Sequence, residues 1–186
     1  MTPELSVVLD RAWTLLGDAV ADHASPWRTP IVATAGDGAD GRVMVLRRVD
    51  RVAATLTFFT DRRAGKVAAI AAAPSIAVIA YDATERLQLR LRGSGTIVTD
   101  DARVESAWAA IGSQGRRAYR TADPPGSPAL SVAAAARLGE GNGRADFALL
   151  VVTVVSVESL QLTDPVHRRA LFRTTVDGWA GEWLVP

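Results

Sequence analysis

Three cationic side chains lie where a β-rich run over residues 55–60 gives way to a helical pattern: Arg62, Arg63 and Lys66. A helix N-terminus already attracts anions, because it presents free N–H groups and the positive end of the helix dipole. Added cations oppose that dipole unless an anion joins them. The stretch therefore predicts a phosphate site to which Thr60 donates a hydroxyl. Solvated surface charges are the alternative.

The predicted strand over residues 42–49, RVMVLRRV, carries one arginine at its start and another near its end. Alternation divides its side chains between two faces, with Arg42, Met44 and Leu46 on one and Val43, Val45 and Arg47 on the other. Such a strand offers an apolar wall, backbone polar groups and charge at both ends. It would suit a planar aromatic ligand with a phosphate tail. A half-exposed hairpin strand with ordinary terminal arginines is the alternative.

Two further polar residues are candidates for contact with a small molecule. Gln88 lies on the polar face of a strictly alternating strand, and its amide can both donate and accept a hydrogen bond at the edge of a heterocycle. A solvent-facing glutamine is the alternative. His167 is one of only two histidines. Neither a second histidine nor a suitable carboxylate spacing accompanies it, so we predict no metal site.

The segment Gly36-x-Gly38-x-x-Gly41 matches the glycine pattern of dinucleotide-binding proteins. That pattern requires a strand before it and a helix after it, so that a pyrophosphate meets the helix N-terminus. Here a strand pattern follows. We therefore interpret the segment as a hairpin turn and reject the dinucleotide-binding interpretation.

Composition sets outer limits on the class of protein. The 186 residues carry a net charge of +1, which gives no general attraction to nucleic acid or to an anionic membrane. The absence of cysteine excludes disulfides, thiol nucleophiles and Cys-ligated metals, and it is compatible with a reducing cytosol. The N-terminal pattern is an amphipathic helix and not a signal peptide, and no uncharged run is long enough to span a bilayer. We expect a cytoplasmic protein.

We predict a single domain over residues 1–186, which is mainly β with inserted helices. We predict about seven strands linked mostly by short turns, which favours a small antiparallel barrel over a doubly wound sheet. The predicted strands cover residues 31–35, 42–49, 55–60, 75–82, 85–100, 146–162 (a strand pair or one bent strand) and a terminal hairpin around 177–178. The predicted helices cover residues 2–20, 61–72 and 102–112. A loop-like insertion covers 113–143 and includes a short helix near 129–138.

Taken in order, these motifs resemble the pyridoxamine 5′-phosphate oxidase-related family of FMN-binding split β-barrels, which have an antiparallel Greek-key arrangement and peripheral helices. The similar stretches are Arg42 to Arg47, Phe58 to Asp61 with Lys66, Ala73-Pro74, and Glu85 to Gln88 leading to Gly93. The resemblance covers residues 28–100 and resumes in the C-terminal strands, within 146–186. Residues 101–145 match loosely, and resemble flavin-binding relatives more than the oxidase proper.

The resemblance implies FMN as the cofactor and assigns most of its contacts. Arg42 and Lys66 would hold the phosphate. Val43, Met44, Val45 and Leu46 would line the flavin through backbone and side chain. Phe59 and Thr60 would also contact the cofactor, with phenylalanine where the oxidases often have tyrosine.

Other roles follow from the same resemblance. Arg47 would lie near the flavin or the substrate, and His167 would face the substrate; these two are the candidate catalytic residues. Gln88 would reach the polar edge of the flavin from the neighbouring subunit, and Arg169 would approach its ring. The family is homodimeric, with FMN held between the subunits.

Three positions depart from the family pattern. Gly65 replaces a phosphate-binding basic residue, Pro165 replaces a substrate-binding arginine, and Leu162 replaces an aromatic residue. Arg62 or Arg63 could supply the charge missing at Gly65. The leading hypothesis is an FMN-dependent oxidoreductase acting on an unidentified small molecule. The alternatives are an authentic pyridoxamine 5′-phosphate oxidase, a non-catalytic protein that binds FMN, haem or a deazaflavin, and a barrel that has lost its ligand.

Overall fold

The computed structural model describes residues 1–36 and 38–186. Its strands are β1 (Ile31–Thr34), β2 (Asp40–Val43), β3 (Leu46–Asp50), β4 (Thr55–Asp61), β5 (Ser75–Asp82), β6 (Leu87–Val98), β7 (Phe147–Gln161), β8 (Arg168–Thr175) and β9 (Gly178–Leu184). Its α-helices are α1 (Pro3–Asp18), α2 (Gly65–Ala72), α3 (Ala102–Ala110), α4 (Ser113–Arg116) and α5 (Val132–Ala135). Short 3₁₀ turns cover Pro26–Arg28, Arg117–Tyr119 and Arg144–Asp146.

The strands form one antiparallel sheet in the order β2-β1-β5-β6-β7-β4-β3, and β8 and β9 extend from β7. The two ends of that path, β2 and β3, are separated in sequence only by Met44 and Val45. A connection of two residues can span about 11 Å at most. The sheet must therefore curl until its two edges approach each other. The predicted split β-barrel is confirmed.

Strand β7 joins the two halves of the barrel. Its first half pairs with β4, from Thr153 to Phe147, and its second half pairs with β8, from Ser156 to Gln161. The pairing with β6 shifts register at Gly93, where Val155 becomes the extra residue of a bulge. The prediction for 146–162 left open a pair or one bent strand, and the structure has one strand of 15 residues.

Two predictions about local structure are wrong. Residues 42–49 form two strands and not one, because the chain leaves β1 after Val43 and joins β4 from Leu46. This split contributes to the total of nine strands in the described residues, against about seven predicted. Helix α2 begins at Gly65 and not at residue 61, because Asp61 still pairs with β7 and its carboxylate accepts the Arg63 N–H at 2.8 Å in the turn that follows.

The remaining elements agree closely with the sequence patterns. Thr2 caps α1, and Asp101 caps α3 by accepting from two backbone N–H groups. The predicted hairpin is present as β1 and β2, whose pairing ends at Thr34 and Asp40. In the turn between them, Asp37 lies outside the described residues.

The core lies between α1 and the inner face of the sheet. Helix α1 buries Leu5, Leu9, Ala12, Trp13 and Leu16. On β6 the alternating leucines Leu87, Leu89 and Leu91 point inward and are buried, whereas Gln88, Arg90 and Arg92 face outward. The outward face is therefore available for other contacts. Among the described residues, none of the helices has the length and apolar character needed to cross a bilayer.

A second, smaller core fixes the insertion after β6. Val104 and Trp108 of α3 pack on Phe147 and Leu149 of β7. Tyr119 adds its ring to this cluster, 5.0 Å from the centre of Phe147 and 5.9 Å from that of Trp108. The insertion thus places Tyr119 beside β4 and β7.

Candidate functional site

Arg42 lies at the end of β2, and its guanidinium is held by three groups. It donates to the backbone oxygen of Val32 at 3.2 Å and to the Thr34 hydroxyl at 3.1 Å, and it forms an ion pair with Asp40. The Arg42 side chain is only 21% exposed. Because its neighbours fix the guanidinium before any ligand arrives, little side-chain entropy remains to be lost on binding an anion.

Lys66 enters the same site from the first turn of α2. Its ammonium donates to the hydroxyl of Thr60, a buried residue on β4, at 3.4 Å. Burial lowers the pKa of Lys66, and the positive charge of Arg42 lowers it further, while Asp61 and Asp40 act in the opposite direction. Two cations thus lie close enough to repel each other. A bound dianion would relieve that repulsion.

The N-terminus of α2 completes this site. The capping position is Ala64, and no side chain of the described residues caps the helix there. The first N–H groups of a helix lack intrahelical partners, so those at Gly65 and Lys66 can donate to an anion. A Cβ at Gly65 would meet nothing within 4 Å, so the site is open at this point. We call Arg42, Thr60, Lys66 and this helix terminus the anion cradle.

Arg63 does not serve the anion cradle. Its guanidinium pairs with Asp61 at 2.7 Å and with Asp146 at 3.3 Å, and it donates to the Thr121 backbone oxygen at 2.9 Å. The side chain of Arg62 points toward the same segment, 3.5 Å from the oxygen of Ala145. The hypothesis that these arginines replace the charge missing at Gly65 is not supported. They fasten the 101–145 insertion to the end of β4.

Arg47 and Phe59 form a second group, separate from the cradle. The Arg47 guanidinium lies 5.0 Å from the centre of the Phe59 ring. Both residues line a cavity of about 390 Å³ whose wall includes Arg28 and Tyr119. Burial lowers the pKa of Arg47, and the nearby Arg28 lowers it further. Burial raises the pKa of Tyr119, so its hydroxyl keeps its proton to a higher pH than usual and can donate a hydrogen bond. The cavity is polarised to receive an anionic group.

Gln88 and Arg169 form a third group on the outer face of the sheet. Both lie opposite Leu160 of β7, so their side chains share one row across β6, β7 and β8. In the adjacent row, buried Glu158 pairs with Arg90 and, at 2.8 Å, with Arg169. Burial acts to raise the pKa of Glu158, but its bonds to these two arginines outweigh burial and lower it. Glu158 therefore holds both guanidiniums against the sheet.

The same outer face carries exposed apolar side chains. Val43 pairs with Ile31, and Ile31 pairs with Ile79, which places all three in the row of Arg90 and Glu158. Val43 is 63% exposed and Ile31 is 45% exposed. Apolar residues grouped around arginines are typical of a surface that associates with another protein.

His167 lies before β8 in an exposed segment. Its Nδ1 is 3.1 Å from the backbone oxygen of Thr163. In the part of the chain that the structure describes, no group of three or more potential metal-ligating side chains comes together.

The structure thus brings the predicted residues together in separate groups. Arg42, Thr60 and Lys66 share the cradle, Arg47 and Phe59 share a separate cavity, and Gln88 and Arg169 share the outer face. The sequence patterns missed three residues that complete these groups: Thr34, Tyr119 and Glu158. Asp61 belongs to a stretch that resembles the family, but no role was predicted for it. Of the three missed residues, only Glu158 gave a signal, as the lone carboxylate in the mostly apolar strand pattern of 147–160.

The curled antiparallel sheet, closed near the anion cradle, defines a split-barrel protein. The family model for pyridoxamine 5′-phosphate oxidase matches residues 27–161. This chain belongs to the pyridoxamine 5′-phosphate oxidase family. No curated protein matches the sequence.

Two solved structures share this fold over the whole chain, and a third shares it over most of the chain. A pyridoxamine 5′-phosphate oxidase-related, FMN-binding protein from Nostoc punctiforme has a TM-score of 0.77 and 21% identity, covering 100% of this chain and 99% of that chain. PhzG from Burkholderia lata, in complex with tetrahydrophenazine-1-carboxylic acid, has a TM-score of 0.75 and 17% identity, covering 100% and 98%. General Stress Protein 26 from Bacillus anthracis has a TM-score of 0.52 and 14% identity, covering 84% and 97%.

Proposed function

We propose that this protein binds FMN and acts as an FMN-dependent oxidoreductase on a small molecule. The observation that carries the proposal is the anion cradle, in which Arg42 of β2 lies close enough to Lys66 of α2 for its positive charge to lower the pKa of the lysine. A phosphate monoester would neutralise both cations and would accept from the free N–H groups of α2. The residues present therefore fit the phosphate end of FMN.

The flavin ring would lie along the break between β2 and β3. Met44 and Val45 belong to neither strand. The Met44 N–H donates to the backbone oxygen of Pro30 at 3.0 Å, so it is the backbone of Val45 that can turn toward a planar heterocycle. Val43 and Leu46 flank this break, and Phe59 offers an aromatic edge beside it. FMN, when bound, would supply the redox chemistry, and the protein would orient it and set the charge around its ring.

A homodimer would bring the third group to the flavin. Gln88 and Arg169 lie on the exposed outer face, together with Val43 and Ile31. Pairing two copies through this face would cover the apolar residues. It would also place the amide of Gln88 and the guanidinium of Arg169 against the flavin of the partner. Glu158 would keep Arg169 in position for this contact.

The substrate would enter the cavity of Arg28, Arg47 and Tyr119. The two arginines favour a substrate that carries an anionic group. Tyr119 keeps its proton, since burial raises its pKa further above neutral pH, and its hydroxyl can donate to that group. His167, from the exposed segment before β8, would hold or move a proton at the reacting end.

The visible spectrum of the purified protein tests this function directly. We expect flavin absorption bands that bleach with a reductant and recover with oxygen, and turnover with a small-molecule donor. Flavin binding without turnover on any amine or nicotinamide donor would indicate a carrier. Turnover on pyridoxamine 5′-phosphate would indicate the authentic oxidase. Neither bound flavin nor binding on titration would refute the proposal and leave a barrel without ligand.

The lowered pKa of Lys66 makes FMN affinity sensitive to alkaline pH. Because burial and Arg42 lower this pKa, Lys66 loses its proton at a lower pH than an ordinary lysine does. FMN phosphate prefers the charged form, so its Kd should rise by up to about tenfold per pH unit above the pKa of Lys66. Titrations of FMN at a series of pH values from neutral to alkaline would measure this rise.

Lys66→Arg is the matched control for this pH dependence. An arginine stays charged throughout the same range, so its Kd should stay flat where that of the wild type rises. Identical pH profiles for the two proteins would show that Lys66 does not contact the phosphate.

A further inference from the structure

A second cavity, of about 300 Å³, lies between α1 and the inner face of the sheet. Two adjacent rows of the sheet form its floor. One row runs Leu89, Ser159, Ala170 and Trp183, and the other runs Leu87, Gln161 and Arg168. One face of α1 forms its roof, with residues at helical spacing from Glu4 to Ala12. The anion cradle, the cavity beside Arg47 and the outer face contribute none of these residues.

The floor of this cavity presents the hydroxyl of Ser159, which has no hydrogen-bond partner among the described residues. Ser159 is only 7% exposed, and its side chain makes no hydrogen bond with any other described residue. Its neighbours in the row, Leu89 and Ala170, are apolar and buried. The Ser159 Oγ is not among the fully buried side-chain atoms that lack a partner, so it is accessible from the cavity that Ser159 lines. A ligand that brings a polar atom to this point could therefore form a hydrogen bond with it.

Two opposite charges at the opening are also uncommitted. The Arg168 guanidinium stacks 5.1 Å from the centre of the Trp183 ring and forms no ion pair with any described residue. Glu4, on the first turn of α1, likewise has no ion-pair partner among residues 1–36 and 38–186. In contrast, the neighbouring Arg11 is satisfied by Glu85 at 2.9 Å. The cavity therefore offers one free cation and one free anion within its described lining.

The size of the cavity limits what it can hold. About 300 Å³ is at the lower end of the range for small-molecule sites, which excludes a nucleotide cofactor. The walls from Leu87, Leu89 and Val8 are apolar and need a hydrophobic body. A zwitterion would meet both free charges, whereas a simple carboxylate would be repelled by Glu4 and a simple amine by Arg168.

We propose that this cavity is a second ligand site, which binds an aromatic α-amino acid whose ring carries a polar atom. The carboxylate pairs with Arg168 and the ammonium with Glu4. The ring lies over Leu87 and Leu89, and its polar atom bonds to the Ser159 hydroxyl. Ser159 follows Glu158 on β7, and Arg168 precedes Arg169 on β8. Since neighbouring residues of a strand point to opposite faces, the proposed site and the proposed flavin contacts lie on opposite faces of the same two strands.

Isothermal titration of the FMN-loaded protein with L-tyrosine tests the site, and L-phenylalanine is the matched ligand without the ring hydroxyl. We expect saturable binding of one tyrosine per chain and weaker binding of phenylalanine. Tyramine and 3-(4-hydroxyphenyl)propionate each lack one charge, and each should bind about tenfold more weakly or worse. The visible spectrum records whether FMN stays bound during the titration.

Three variants assign the contacts. Arg168→Gln and Glu4→Gln should each raise the Kd of tyrosine by about tenfold, since each removes a charge-assisted hydrogen bond. Ser159→Ala should abolish the difference between tyrosine and phenylalanine. Arg173→Gln is the control, because Arg173 lies on the same strand, pairs with Glu182 and faces away from the cavity.

Three results would overturn the proposal. The first is the absence of binding by every probe up to its solubility limit. The second is equal binding of tyrosine, tyramine and the propionate, which would show that the two charges do not recognise a zwitterion. The third is an unchanged Kd in Arg168→Gln. Because none of the altered residues belongs to the proposed flavin site, loss of tyrosine binding and loss of FMN binding are separate outcomes.

Discussion

Replacing Arg42 or Lys66 with alanine is expected to raise the Kd of FMN by about tenfold to a hundredfold each, because each change removes a charge-assisted hydrogen bond to the phosphate. The double variant should retain no binding at micromolar FMN. Lys66→Ala also removes the positive charge that repels Arg42 in the protein without ligand. This relief of repulsion does not replace the lost bond to the phosphate. Fluorescence or absorbance titration of FMN, with thermal unfolding of each variant measured alongside, gives the result.

Two matched variants sharpen this prediction. Arg48→Ala removes an exposed arginine of the same segment, paired only with Asp50 at 3.6 Å, and should leave the Kd unchanged. Gly65→Arg restores a basic side chain where the family has one and where a Cβ would meet open space, so it should lower the Kd. Gly65→Ala is the control for any effect on Kd that comes from replacing glycine in the helix and not from the added charge. Equal Kd values for wild type, Arg42→Ala and Lys66→Ala would place the phosphate elsewhere.

Gly93→Ala is expected to destabilise the fold by about 3 kcal/mol, which for a chain of this size lowers Tm by roughly 6–12 °C. A Cβ at Gly93 would collide with the backbone oxygen of Thr153 and lie 2.8 Å from its carbonyl carbon. Because the obstacle is backbone in the bulge of β7, no side-chain rotation can relieve it. The pairing of β6 with β7 must shift instead. Thermal unfolding followed by circular dichroism measures the change.

Gly17→Ala is the control for this effect. Gly17 lies in the last turn of α1, and a Cβ there would meet nothing within 4 Å. Alanine is the better helix former by up to about 1 kcal/mol, so the Tm should stay the same or rise. A Gly93→Ala protein as stable as the wild type would mean that the register of β6 against β7 differs from the one described here.

Much of the fold could be predicted from local patterns. Alternation in 87–92 identified which side chains of β6 face the core, because the period of a strand admits only two faces. The cap at Thr2, the cap at Asp101 and the hairpin around Asp177-Gly178 likewise depend on neighbours in sequence. The ordered motifs from Arg42 to Gly93 were enough to predict the family.

Local patterns were enough to predict the class of fold, the inward face of β6 and the two cations of the cradle. Which arginine lies near Lys66 became known only from the folded chain. Arg42 lies close enough to lower the pKa of Lys66, whereas Arg63 pairs with Asp61 and with Asp146, a residue far away in the chain. The split of residues 42–49 into two strands also depends on the folded chain, because β2 pairs with β1 at one edge of the sheet and β3 pairs with β4 at the other. Such pairings between distant residues leave no local pattern, and for that reason Tyr119 and Ser159 became visible only in the folded chain.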